Sequence, residues 1–180
     1  MAAFASMLRG INVGRHKRVR MADLKRTYES LGFKNVQTLL QSGNVVFTNP
    51  KASSMRLEAN IERALAAELN LDAKVIIRSP DELRKVIAGN PLKLSAGRNA
   101  SFLHVCFLKM EPAKESIEKM SAAYTGPEEI QVVGRECYIY YPDGAGKSRL
   151  DLERWLKVAA TARNWNTVNR LAELAASLDG

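Results

Sequence analysis

Two β-rich runs joined by a short polar turn, within residues 36–48, limit the fold of this chain more than any other segment. Both arms are rich in valine, leucine, threonine and phenylalanine, which favour strands. The turn between them is Ser42-Gly43-Asn44, and Gly43-Asn44 is one of the dipeptides that a two-residue hairpin turn prefers. We therefore predict a tight β-hairpin with apolar arms and a polar tip formed by Gln41, Ser42 and Asn44.

The segments around this hairpin give the order β-α-β-β-α-β for residues 1–78. An apolar strand at 3–8 ends at Gly10, and a helix at 21–31 carries apolar residues at helical spacing before it stops at Gly32. A second amphipathic helix follows the hairpin and leads to a strand at 74–77. This order predicts a ferredoxin-like subdomain, an antiparallel sheet with the strand order 4-1-3-2.

That topology predicts where two polar segments meet. The loop that leaves the first strand, residues 9–20, and the hairpin tip, residues 41–44, come at the same end of the sheet. The strands that carry them are neighbours, so the gap is one or two strand spacings of ~4.8 Å. We expect the loop and the tip to lie side by side.

The second half of the chain partly repeats this order. Ser79, Pro80 and Glu82 form a capping box that opens a helix, and residues 91–100 form a polar linker. Beyond it we predict β-α-β-β-α-α, with a hairpin around Gly134-Arg135. The fold class is therefore α+β, with a ferredoxin-like subdomain at 1–90 and a second α+β subdomain at 101–180.

Composition restricts the class of protein. The chain has 180 residues, of which 46% are hydrophobic and 26% charged, as in ordinary globular proteins. No run approaches the ~18 apolar residues of a membrane span, and the N-terminus lacks the charge order of a signal peptide. The two cysteines lie in strand-like runs and are too few for a disulfide framework. We expect a bacterial cytoplasmic protein that has no contact with a membrane.

Positive charge is concentrated near the N-terminus. The net charge is +8, and residues 1–50 hold eight lysines and arginines against only Asp23 and Glu29. Such a field attracts phosphate, nucleic acid or acidic partners, although basic surface also serves solubility alone.

Several motifs that could carry chemistry are incomplete. Residues 144–148, Gly-Ala-Gly-Lys-Ser, lack the first glycine of a P-loop because Tyr141 occupies its place, so we interpret them as a turn in which Ser148 caps the next helix. His104 and Cys106 lie on one strand without further ligands for a metal. We expect neither a metal nor a cofactor.

Two further candidates remain open. Ser42 would need His16 of the facing loop as a base, and no third member of a triad is evident. In the cluster at 163–167, the simpler interpretation has Asn164 as a helix cap, Trp165 packed and Arg163 solvated. The alternative is an indole and neighbouring amides that bind a ring.

The best candidate site joins the basic loop to the hairpin tip. Guanidinium, amide and hydroxyl groups that converge at one sheet end suit an anionic or amide-rich ligand, although the same residues could merely shape the loop and the turn. The candidate ligand-binding residues are Arg9, Asn12, Arg15, Arg18, Gln41, Ser42 and Asn44, with Arg163, Asn164 and Asn166 from the later cluster.

Four segments in this order and spacing resemble the domain-of-unknown-function family 1697. They are 8–14, 21–24, 41–47 and 160–168. The resemblance implies a bacterial α+β protein with no assigned activity, and Arg15 departs from it where the family often has a second glycine after Gly14. The residues of the candidate site that belong to the family's pattern are Arg9, Asn12, Gln41, Ser42, Asn44, Arg163, Asn164 and Asn166.

The sequence favours a binding function over an enzymatic or a purely structural one. We expect the first subdomain to bind a phosphate-bearing small molecule or nucleic acid at the loop and the hairpin tip. The alternatives are an enzyme that uses Ser42, His16 or Arg163 in the same cleft, and a module that binds a protein partner. The sequence leaves the reaction and the oligomeric state open.

Overall fold

The computed structural model describes residues 1–12, 18–50, 54–95 and 97–179. The chain forms two compact units: Met1–Lys85 with Asn169–Gly180, and Val86–Val168. Residues 91–100, predicted as a linker, fall within the second unit, and the last residues of the chain belong to the first. Each unit contains a four-stranded sheet and helices, which confirms the α+β class.

The first unit has the predicted order of elements. They are β1 (Ala2–Leu8), α1 (Met21–Ser30), β2 (Lys34–Leu39), β3 (Asn44–Asn49), α2 (Ser54–Leu69) and β4 (Val75–Arg78). The strand order is β2-β3-β1-β4, all neighbours are antiparallel, and this is the predicted order 4-1-3-2. Helix α3 (Pro80–Ala88) follows, and Ser79 and Glu82 make the reciprocal bonds of the predicted capping box.

Aromatic rings on the central strand organise the core of the first unit. Phe47 of β3 stacks on Phe33 at 4.4 Å between ring centroids and meets Tyr28 of α1 edge-on at 5.5 Å. The buried Tyr28 hydroxyl lies 2.6 Å from Ser6 Oγ of β1, so its polar atom is satisfied. These contacts fix α1 against the two strands whose ends form the candidate site.

Two glutamates of α2 occupy the outer edge of β4. Glu58 Oε1 accepts from the Ile77 amide at 2.9 Å, and Glu62 Oε1 accepts from the Val75 amide at 3.0 Å. Because β4 is an edge strand, the amides of Val75 and Ile77 point away from β1 and have no partner strand in the sheet. The helix supplies the acceptors that a further strand would otherwise provide.

The second unit contains β5 (Leu103–Leu108), α4 (Lys114–Ala123), β6 (Glu129–Val133), β7 (Glu136–Tyr140), α5 (Leu152–Leu156) and β8 (Ala160–Asn164), and α6 (Trp165–Ala176) begins in it. Its strand order, β6-β7-β5-β8, has the same pattern as that of the first sheet. All neighbouring strands are again antiparallel.

One strand of the second unit differs from the prediction. Helix α5 ends at Leu156, where Lys157 takes a left-handed φ of 59°, and β8 then pairs with β5. The inward side chains of β8 are Thr161 and Arg163. Because they are polar, the alternation that usually reveals a strand was hidden, and the predicted β-α-β-β-α-α lacked this element.

None of the helices in the described ranges combines the length and apolar character that crossing a membrane requires.

Candidate functional site

The hairpin tip has a longer loop than predicted. Leu39 pairs with Asn44, so residues 40–43 form the turn, and the prediction of a tight turn at Ser42-Gly43-Asn44 is wrong. Leu40 and Gly43 have φ values of 60° and 75°. The Gly43 carbonyl accepts from the Leu8 amide at 2.9 Å, so this residue extends the pairing with β1. The turn is therefore displaced by one residue because Asn44 belongs to the sheet.

The Asn44 side chain makes hydrogen bonds within the hairpin. Its side chain is fully buried, and Nδ2 donates to the Leu39 carbonyl at 3.0 Å and to Ser42 Oγ at 2.9 Å. These bonds close the loop from within, in the manner of asparagine side chains at turns. The geometry favours a structural role for Asn44, which sequence reasoning placed among the ligand-binding residues.

Asn12 joins the loop to the hairpin tip. Its Nδ2 donates to the Val19 carbonyl at 3.0 Å and to the Gln41 carbonyl at 2.7 Å, and its Oδ1 accepts from the Val19 amide at 2.8 Å. The residue has a left-handed φ of 54°, which asparagine tolerates better than most residues. These bonds confirm that the loop and the tip lie side by side, and they use the Asn12 carboxamide as a brace.

A depression of about 350 Å³ opens beside this brace. It is lined by Asn12, Arg18, Val19, Arg20 and Gln41. The side chains of Arg18 and Gln41 are exposed there, and neither makes a side-chain hydrogen bond or an ion pair with the part of the chain that the structure describes. Two groups that can donate hydrogen bonds are thus available at one concave surface.

Arg20, by contrast, is held by a carboxylate. Its Nε and Nη2 donate to the two oxygens of Asp23 at 2.7 and 3.2 Å, and Arg26 pairs with the same group. The hydrogen bond to Asp23 raises the pKa of Arg20, and the bonds from Arg20 and Arg26 lower the pKa of Asp23. The positive charge of Arg20 is therefore partly neutralised. Sequence reasoning missed this pair, although its i, i+3 spacing was a signal.

Arg9 and Ser42 are not among the described residues that line the depression. Arg9 is exposed at the end of β1, where its amide donates to the Lys74 carbonyl at 2.9 Å. Ser42 is exposed, and its Oγ accepts a hydrogen bond from the Asn44 side chain. Its role as a nucleophile stays a prediction. Arg15 and His16 lie outside the described residues.

The cluster at 163–166 has a structural explanation within the second unit. Arg163 is only 7% exposed, and its Nη1 donates to Thr161 Oγ1 at 2.7 Å and to the Ala162 carbonyl at 2.8 Å. Burial lowers the pKa of Arg163 to about 10, so the expectation of a solvated side chain was wrong. Asn164 Oδ1 accepts from the Thr167 amide at 2.9 Å, which confirms it as the cap of α6. Asn166 is exposed.

The glycine-rich turn at 144–148 and the strand that carries His104 and Cys106 have ordinary structural roles. Asp151 caps α5 through the Arg154 amide, whereas Ser148, which we expected in that role, donates to Glu128 and accepts from the Leu150 amide. Burial raises the pKa of the Cys106 thiol to about 12. Among the described residues no set of side chains could hold a metal ion.

The comparisons with known proteins agree with this fold. A conserved bacterial protein from Streptococcus pneumoniae has a similar structure, with a TM-score of 0.73 over 97% of this chain and 98% of that one. The two are 19% identical in sequence, so the similarity establishes the fold. No curated protein matches the chain significantly.

A family model settles the classification. It matches residues 1–138, which include the basic loop, the hairpin and Asn12, which joins them. The chain therefore belongs to DUF1697, a family of proteins of unknown function.

Proposed function

We propose that the first unit binds the phosphate group of a small molecule in the depression beside Asn12. The observation that carries this proposal is the brace itself. Because Asn12 bonds to both Val19 and Gln41, the neighbouring Arg18 and Gln41 side chains line one concave surface. A loop and a hairpin tip that are merely adjacent would not need such a fixed geometry.

The available groups suit a phosphate. The Arg18 guanidinium can donate two parallel hydrogen bonds to phosphate oxygens, and the Gln41 amide can donate another. Arg20 adds charge at the rim, reduced by its pair with Asp23. The basic segment around them would attract an anion before contact.

The size of the depression favours a small ligand. Its volume of about 350 Å³ lies near the lower end of the ~300–1,000 Å³ range of small-molecule pockets. This is enough for a phosphate and part of the group that carries it. None of the described lining residues is aromatic, so none of them offers a nucleic-acid base a ring on which to stack.

The first experiment is a thermal-shift titration with inorganic pyrophosphate at ~50 and ~200 mM salt. We expect the melting temperature to rise with ligand, and to rise more at low salt. Arg18→Ala should weaken binding by about tenfold or more, since a hydrogen bond to a charged group contributes ~1.5–3 kcal/mol. Gln41→Ala should weaken it less.

Lys34→Ala is the matched control. Lys34 is exposed at the opposite end of β2 from the tip, and its replacement removes the same charge. If Arg18→Ala and Lys34→Ala bind pyrophosphate equally well, the site is wrong. A fluorescein-labelled single-stranded oligonucleotide gives the other arm: salt-sensitive binding that pyrophosphate does not compete would assign the surface to nucleic acid.

A further inference from the structure

A second basic surface lies in the Val86–Val168 unit, between α4 and α5. We call it the α4–α5 groove. It has a volume of about 640 Å³, and the cations Lys119, Arg149, Arg154 and Lys157 line it together with Asp151 and Trp155. It is larger than the depression beside Asn12 and lies within the usual size range of ligand pockets.

Most of the positive charge in this groove is not neutralised by the protein. Arg149, Arg154 and Lys157 are exposed, and no carboxylate of the described ranges pairs with them. The single acidic residue of the lining, Asp151, accepts from the Arg154 amide as the cap of α5. Lys119 is paired with Glu115 at 2.8 Å. The groove therefore offers three cations to an anionic ligand.

Trp155 gives the groove an aromatic surface, which the depression in the first unit lacks. The indole is half-buried and packs against the core of the unit. Tyr124 meets it edge-on, with 6.3 Å between the ring centroids. Arg149, Arg154 and Lys157 line the groove together with this indole.

The partner of Trp155 is itself held in place. The Tyr124 hydroxyl donates to Glu128 Oε2 at 2.5 Å, and Ser148 donates to the other oxygen of the same carboxylate. These groups line an adjoining cavity of about 460 Å³ that also includes Trp155. Trp155 therefore lines both the groove and a cavity whose lining includes this hydrogen-bonded network.

We propose that the α4–α5 groove binds a nucleoside phosphate, with the base stacked on Trp155 and the phosphates on Arg149 and Arg154. An aromatic ring flanked by arginines is the combination that recognises a base and its phosphate together. A plain phosphate would leave the indole unused, and an apolar ring would leave the arginines unpaired. The proposal stands on different residues from those of the proposed function.

Tryptophan fluorescence can test this binding directly. The chain has two tryptophans, so in a Trp165→Phe background the emission reports on Trp155 alone. We expect adenosine diphosphate to quench this emission to saturation. Adenosine and ribose 5-phosphate, which carry only one half of the ligand, should each bind at least about tenfold more weakly. If ribose 5-phosphate binds as tightly as the diphosphate, stacking is excluded and the proposal fails.

Charge-matched double variants separate the site from the general field. Arg149→Ala with Arg154→Ala should weaken binding of adenosine diphosphate by about tenfold or more. Lys93→Ala with Lys114→Ala removes the same charge from exposed positions of the same unit and should leave binding unchanged. Equal weakening in the two double variants would overturn the assignment.

The indole needs a milder substitution, because Trp155→Ala would remove a side chain that packs on the core. Trp155→Phe keeps an aromatic ring of smaller area and should weaken the thermal stabilisation by the diphosphate without loss of fold, as judged by circular dichroism. An undiminished thermal shift in this variant would contradict stacking.

The same base and phosphate groups could also come from a nucleic acid, and a short oligoadenylate tests this source. Tighter binding of the strand than of the free nucleotide would identify the end of a nucleic acid as the ligand. Arg18→Ala should leave the diphosphate affinity unchanged, which distinguishes this site from the one in the first unit.

Discussion

Gly43 and Gly10 flank the candidate site and share a backbone conformation but not an environment. Their φ values are 75° and 65°, in the left-handed region that favours glycine. A methyl group at Gly43 would lie 2.9 Å from Leu8 Cβ and 2.6 Å from Ile11 Cδ1, whereas no atom of the described residues lies within 4 Å of the corresponding position at Gly10. Close packing against β1 thus adds to the conformational requirement at Gly43.

The pair allows these two contributions to be separated. Gly10→Ala should cost only the backbone term, about 1 kcal/mol of the free energy of unfolding. Gly43→Ala should cost ~1–3 kcal/mol more, because Leu8 Cβ is fixed to the strand and cannot move aside. Urea denaturation of both variants gives the comparison. Equal losses would mean that the Gly43 contact relaxes without a penalty.

At the level of elements, the parts predictable from sequence were those with a local signal. The capping box at Ser79 and the hairpin around Gly134-Arg135 follow directly from short-range chemistry and are confirmed. The register of the first hairpin was not predictable from its dipeptide, because the buried environment of Asn44 decides where the turn ends. Strand β8 was missed because Thr161 and Arg163 face inward.

The candidate site was predictable in position and only partly in membership. Topology alone placed the 9–20 loop beside the hairpin tip, and Asn12 confirms that contact. Whether a given polar side chain is exposed depends on tertiary packing, which no local pattern encodes. Arg163 and Asn44 are buried for this reason, whereas Arg18 and Gln41 remain accessible.

The bonds from α2 to the edge of β4 belong to this scale and can be tested. Glu58 is 7% exposed and accepts from the Ile77 amide. Glu58→Leu should leave that donor buried without the bond and cost about 1–3 kcal/mol of unfolding free energy. Glu58→Gln keeps an acceptor and should cost less.

Glu68→Ala serves as the control for these two variants. Glu68 lies on the same helix, but it is exposed and bonds to the Ser30 hydroxyl. We expect it to stay within about 0.5 kcal/mol of the wild type in urea denaturation. A Glu58→Leu variant as stable as Glu68→Ala would show that the edge bond contributes nothing.

At the scale of the whole molecule, the two units share one plan. Each has an antiparallel four-stranded sheet in which the first and third strands are central: β1 and β3 in one, β5 and β7 in the other. The echo of β-α-β-β-α noted in the sequence is extended by β8 to the full order of the first unit. The units differ at their edges, since β6 alternates between exposed and half-buried residues.

This plan predicts a pattern of amide hydrogen exchange. The amides of the four central strands should exchange most slowly in both units, because ladders on both sides protect them and their opening requires the most extensive unfolding. The amides of β2 and β6 should exchange faster on average. Mass spectrometry of peptides from each strand can measure this. Protection of β6 equal to that of β7 would contradict the edge assignment.

The glutamates along β4 also limit how this protein can self-assemble. An open sheet edge is a template on which another copy can add a strand, and two open edges allow the addition to continue into a fibre. The outward amides of β4 are already bonded to Glu58 and Glu62. In the first sheet, a strand of another copy could therefore add more readily at the other edge, β2. Pairing through β2 would join the first sheets of two copies, and the bonded amides of β4 would oppose any further addition to that joined sheet.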